Sequence, residues 1–167
     1  MSTLLRGGVR AERWYRESTW DWLEKPEFPA DALKDLRTDN NSLSVFEVEN
    51  EADARAAAIA IAAGRQDFGD CEWFLFDDSV LDALNIPIEK SEGTTPNTRI
   101  NELHRNISHL TGRKLAALVE AISPDPETFG FVLKKDVEST IVASVKSGEL
   151  DIYRVNRSLR EKVIAKL

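Results

Sequence analysis

Six consecutive residues, Trp73-Phe74-Leu75-Phe76-Asp77-Asp78, hold the densest chemistry in the chain. Four apolar residues followed by two acids describe a buried strand that delivers carboxylates to its C-terminal edge, where open α/β sheets bind their ligands. Paired carboxylates at such an edge hold Mg²⁺ through hard oxygen ligands. Asp77 and Asp78 are therefore the candidate residues for a Mg²⁺-dependent phosphoryl-transfer or nuclease reaction. The same acids have a plainer use, because Asp77 and Ser79 suit the start of a following helix. Arg99 and His104 form a second candidate pair: a guanidinium positions a phosphate, and an imidazole moves a proton near neutral pH. His104 and His109 are five apart, which misses the i,i+4 spacing of a helical metal pair. Cys71 lies between Asp70 and Glu72, and flanking carboxylates raise a thiol pKa and disfavour a nucleophile.

The 73–78 run resembles a Walker B strand, yet neither G-x-x-x-x-G-K-[ST] nor G-x-G-x-x-G occurs, and no G-x-S-x-G elbow offers a serine nucleophile. The Arg-x4-His spacing of Arg99 and His104 resembles the catalytic helix motif of HEPN ribonucleases, over about ten residues. Arg105-Asn106-Ile107-Ser108-His109 is similar but one residue short. The resemblance implies a single helix carrying both groups. That family is wholly helical, and its usual polar residue after the Arg is Ile100 here. Glu47-Val48-Glu49, with Ser18-Thr19 and arginines upstream, is similar in order to ADP-ribosyltransferase elements but is compressed into too short a segment for that fold.

The remaining candidates are binding residues. The chain has 22 Lys+Arg and 29 Asp+Glu, a net −7. Ten carboxylates between Glu47 and Asp82 face only Arg55 and Arg65, so this stretch alone nets −8. Glu47, Glu49, Asp67, Asp70, Glu72 and Asp82 are its expected contact residues. An acidic field attracts basic partners and repels phosphate backbones. Trp14, Trp20 and Trp22 fall on one face of an extended chain beside Arg13 and Arg16, and Trp and Arg dominate binding hot spots. The alternative use of these aromatics is a packed sheet face. Basic clusters flank the acidic stretch, at Arg6, Arg10, Arg13 and Arg16 and at Arg154, Arg157, Arg160, Lys162 and Lys166.

These residues need elements to position them. Val9–Trp22, rich in β-prone and aromatic residues, reads as one strand or two short ones. Pro29 suits the start of a short helix through Leu36, and the polar Thr38–Ser42 cluster stops it. Leu43–Val48 reads as a strand, and Asn50 caps an alanine-rich helix over Glu51–Ala63 closed by Gly64. The Trp73–Phe76 strand and a short helix through Leu84 complete a βαβ-like unit. A parallel pairing is its default if both strands share a sheet. After residue 94 the period turns helical. Ile100, Leu103, Ile107 and Leu110 form one stripe starting at Thr95-Pro96, and Leu115–Ile122 form a second. Leu133–Val145 form a third, closed by Gly148, and Leu159–Leu167 a fourth, capped by Asn156. The expected architecture is α+β or α/β: a small sheet with its βαβ-like unit in residues 1–94, then about four helical segments in 95–167, packed as one domain.

One cysteine excludes a disulfide framework. No apolar run approaches the ~18 residues of a membrane span, and Met1–Gly8 lacks the apolar stretch of a secretory signal, so a cytoplasmic setting without a membrane partner is expected. The function expected from this balance is a non-catalytic protein-binding module of the inhibitor, immunity, antitoxin or adaptor type. It needs no cofactor and grips a basic protein through residues 47–82. The alternatives are the Mg²⁺ enzyme at Asp77 and Asp78 and a nucleic-acid binder using the basic C-terminal helix.

Overall fold

The computed structural model describes residues 2–14, 28–122 and 126–167. Six strands form one antiparallel sheet in the order β4-β5-β2-β1-β3-β6. They are β1 (Thr3–Gly7), β2 (Leu43–Val48), β3 (Cys71–Asp77), β4 (Ile88–Lys90), β5 (His104–Ile107) and β6 (Phe129–Val132). The helices are α1 (Glu51–Ala63), α2 (Ser79–Ala83), α3 (Thr98–Glu102), α4 (Gly112–Ile122), α5 (Lys134–Ser147) and α6 (Arg157–Ile164). The fold is therefore α+β, with four helices in the C-terminal half.

Both faces of the sheet are covered, and the strand sequences require it. In β1, Leu4 and Leu5 point to opposite faces, and both are fully buried. In β3, Trp73 and Cys71 join Leu5, Phe46 and the helices α1, α5 and α6 in one core. Phe74 and Phe76 join Leu4, Val45, Trp14 and α4 in the other. The uninterrupted Trp73–Phe76 run is thus a strand buried on both sides, as its composition predicts.

The βαβ-like unit takes a split form. β2 and β3 both pair antiparallel with β1, so they run parallel to each other with β1 between them. The default of a directly paired parallel couple does not hold, because the chain has already laid β1 in the slot. Helix α1 begins where expected: the Asn50 side chain accepts a 2.9 Å hydrogen bond from the Asp53 amide. Its alanines let it lie close to the sheet. A Cβ on Gly7 would stand 2.6 Å from Ile61 Cδ1, so a larger residue there would have to displace the end of that side chain.

Three sequence expectations change. The opening strand is Thr3–Gly7 rather than Val9–Trp22; residues 11–13 form a 3-10 turn, and 15–22 lie outside the described residues. The Ile100–Leu110 stripe is not one helix. Asn97, not Thr95, caps α3 by accepting from the Ile100 amide at 3.1 Å, and α3 stops at Glu102. The chain then becomes β5, paired with β2 through Phe46↔His104, Ser44↔Asn106 and Leu43↔Ile107. The otherwise open edge of β2 supplies backbone partners that a continued helix would leave unused. Finally, Phe129–Val132 joins the sheet as β6, with Trp73 lying over Gly130. The later helices follow the sequence: Gly148 ends α5 in the left-handed conformation, and Asn156 caps α6.

Candidate functional site

The register of β1 places the acidic residues. Thr3 pairs with both Val48 and Asp77, so the C-terminal ends of β2 and β3 are level at one end of the sheet. Glu49, Asn50 and Glu51 follow β2 directly into α1 and stand at that end, as do Asp77 and the Asp78 and Asp82 that follow it. Asp67, Asp70 and Glu72 precede or begin β3 and stand at the other. One acidic stretch of sequence is thereby divided between two ends of the molecule.

At the α1 end, a cleft of about 470 Å³ opens between α1, β3 and the Glu127–Gly130 segment. Trp73, Leu75 and Ala54 give it apolar surface, and Glu49 and Glu51 carry carboxylates onto its lining. Both glutamates are exposed, and neither has a cationic partner among the described residues. The N-terminus of α1 favours negative charge there. Asp53 belongs to the same turn but is buried and committed: it accepts from Arg99 at 2.6 Å and from the Asn50 amide group at 3.0 Å. Glu47 is paired with Arg105 at 2.5 Å.

At the opposite end the acids are largely engaged. Asp67 meets Lys162 at 2.7 Å, and that hydrogen bond, with one from the Phe68 amide, holds its carboxyl below the usual range. Asp70 accepts from the Lys134 amide at 2.7 Å. Glu72 accepts from the Ala11 amide at 2.7 Å and lies 3.9 Å from Arg10.

Asp77 and Asp78 serve the chain around them. Asp77 Oδ1 accepts from the Ser79 amide at 2.8 Å at the start of α2. Asp78 Oδ2 accepts from the Ser2 hydroxyl at 2.6 Å, which holds its carboxyl below the usual range. Among the described residues no three His, Cys, Asp or Glu side chains gather as a metal site. Cys71 is buried, with its thiol on the Ala58 carbonyl at 3.2 Å. Burial, more than the neighbouring Glu72, pushes its pKa up.

Arg99 and His104 fall on different elements, α3 and β5, so the one-helix geometry implied by the HEPN resemblance is absent. Arg99 is taken by Asp53. His104 Nδ1 lies 2.7 Å from Ser91 Oγ, and its ring meets Phe46 edge-on at 5.2 Å. Burial pushes its pKa down. It lines a second cleft, of about 320 Å³, with Arg37, Asp39, Glu92, Thr94 and Asn106. Sequence reasoning did not single out Arg37, Asp39 or Glu92. The one pointer was the polar Thr38–Ser42 cluster, which reads only as a helix stop.

The aromatic and basic candidates divide as well. Trp14 is core: its ring sits edge-on to Phe74 at 5.2 Å, and its Nε1 donates to buried Asp35 at 2.9 Å. Trp20 and Trp22 lie outside the described residues. Arg13 also binds Asp35. In the C-terminal set, Arg160 donates to the Tyr153 and Val155 carbonyls, and Lys166 pairs with Glu138 at 2.7 Å. With Lys162 on Asp67, Arg154 and Arg157 are left as the exposed cations of that set. No helix among the described residues is long and apolar enough to cross a membrane.

No protein-family model, no curated protein and no solved structure matches the chain.

Proposed function

We propose that this protein is a non-catalytic binding module whose acidic α1 end docks a basic protein segment. The observation that carries this reading is the cleft beside Glu49 and Glu51. Unpaired carboxylates stand there next to the apolar surface of Trp73 and Leu75. A lysine or arginine side chain matches that combination, because its methylene stem covers apolar surface while its head meets carboxylate. Complementary charge of this kind gives fast, salt-dependent association.

The test uses fluorescence polarisation with a labelled arginine- and lysine-rich peptide and a labelled acidic control. The basic peptide is expected to bind and to weaken steeply with salt, and the acidic one to stay free. Glu49→Gln/Glu51→Gln should weaken binding by roughly tenfold or more, equivalent to ~1.4 kcal/mol. Asp67→Asn/Asp70→Asn, at the other end of the sheet, should leave it unchanged. Equal losses from both pairs would mean nonspecific attraction and defeat the proposal, as would no binding at all.

A further inference from the structure

The His104 cleft lies apart from the acidic cleft, and its chemistry differs. Every residue lining it has a hydrogen-bonding side chain. Its floor is β5 and β2, where His104, Asn106 and Ser44 share one face of the sheet by register. One wall is the Asp39–Ser42 turn. Asn40 and Asn41 hold left-handed conformations there (φ 49° and 59°), and reciprocal 2.9 Å bonds between Asp39 and Ser42 lock it. The other wall is Glu92–Thr94. It is fixed by the Gly93 amide on the Asn101 carbonyl at 3.2 Å and by close contact of Gly93 with Asn101, where an added Cβ would lie 2.9 Å from Asn101 Cα. The site is thus held open by two braced segments.

Its charges are opposite yet unpaired. Arg37, Asp39 and Glu92 line the same cleft, and none of the three forms an ion pair or a side-chain hydrogen bond among the described residues. With two carboxylates against one guanidinium, the site disfavours a polyanion such as a phosphate ester. The guanidinium disfavours a simple cation. A ligand bearing both charges a few ångströms apart satisfies all three groups. We infer that this cleft binds a small zwitterion, a free α-amino acid with a polar side chain: Arg37 takes the carboxylate, Asp39 and Glu92 take the ammonium, and His104 and Asn106 meet the side chain. Guanidinium–carboxylate pairing is bidentate and therefore selective for that group. His104 is pre-oriented for this, since Ser91 holds Nδ1 and leaves Nε2 for a ligand. The volume of about 320 Å³ lies at the small end of small-molecule sites, which run from ~300 to ~1,000 Å³.

The experiment is isothermal titration calorimetry on the full chain with each polar L-α-amino acid at up to roughly 10 mM. For whichever binds best, the N-acetyl and methyl-ester derivatives are titrated as well. At least one amino acid should bind, and blocking either terminus should weaken it by about tenfold or more, the effect of losing one charge-assisted pair. Arg37→Gln and Asp39→Asn/Glu92→Gln should do the same. These residues are exposed, so the variants should keep the wild-type circular dichroism. Glu49→Gln/Glu51→Gln should bind like wild type, which keeps this result separate from the basic-peptide reading. No binding by any amino acid, equal binding of the blocked derivatives, or indifference to Arg37→Gln would each overturn the inference.

Discussion

Replacing Asp35 tests the polar centre on which the N-terminal segment is built. Asp35 is 2% exposed. It accepts from the Trp14 indole at 2.9 Å, from the Arg10 amide at 3.0 Å and from the Arg13 guanidinium. Arg6 donates to the Asp35 carbonyl at 2.9 Å, and burial pushes its guanidinium pKa down to about 10, against the pull of the Asp35 charge. It is still a cation at neutral pH. Asp35→Ala orphans the indole and amide donors and leaves the Arg6 charge without its nearest counter-charge. Hydrogen bonds to a charged acceptor contribute roughly 1.5–3 kcal/mol each, and removing one partner of a buried charged pair costs about 3–5 kcal/mol. The Arg13 contact is discounted because that side chain is 34% exposed and water replaces its partner. These contributions overlap, so the expected loss is about 4 kcal/mol. For a chain of this size that corresponds to a Tm lower by roughly 8–16 °C. Asp35→Asn, which keeps one acceptor and the shape, should lose about half as much. The assay is urea unfolding followed by circular dichroism at neutral pH, with Glu120→Ala, an exposed helix position, as the reference within ~0.5 kcal/mol. A loss for Asp35→Ala no greater than that of Glu120→Ala refutes the argument that this carboxylate organises residues 6–14.

Two further outcomes follow from local geometry. Gly130→Ala would put a Cβ 2.0 Å from the Trp73 ring, so overpacking by about 1–3 kcal/mol is expected in the urea midpoint, and pairing it with Trp73→Val should recover part of that loss; a neutral Gly130→Ala would show that the indole moves freely. The lowered His104 pKa, caused first by burial, means that the unfolded chain takes up a proton before the folded one does. Its contribution to stability is then fully present above the ordinary histidine value of about 6.5 and is lost as the pH falls from there through the folded value. The stability difference between pH 7.5 and 5.5 should therefore shrink in His104→Gln, and an unchanged difference would assign the slope to other groups.

What was legible in the sequence depended on whether the signal was local. The Trp73–Phe76 run needs cover on both sides wherever it lies. The Asn50, Asn156 and Gly148 caps act within a few residues of themselves, so β3, α1, α5 and α6 could be read directly. β5 could not. Ile100, Leu103, Ile107 and Leu110 satisfy a helical period, and His104–Ile107 becomes a strand only because β2 offers it an edge. Asp35 was invisible for a related reason. Its partners at 6, 10, 13 and 14 are brought to it by the β1 pairing, and nothing in its own neighbourhood distinguishes it from Asp31 or Asp39. The candidate sites divide the same way: carboxylates could be counted, but which of them kept a free charge was decided by Arg99, Arg105 and Lys162, all distant in sequence.

That distinction alters how the local charge of −8 acts. β3 spans seven residues, and at ~3.3 Å per residue its two ends are roughly 20 Å apart. Screening at physiological salt sets in over about 8 Å, so the acids before β3 and those at the start of α1 do not sum into one field. Asp67 and Glu72 are also met by Lys162 and Arg10, which lowers the potential at that end further. A diffusing cation would therefore respond to the net charge of one end, not to the net charge of the segment. The end with the larger uncompensated charge is the one where Glu49 and Glu51 stand beside Trp73. The sequence interval 47–82 overstates the acidic surface, and the strand register identifies the part of it that a cation would find.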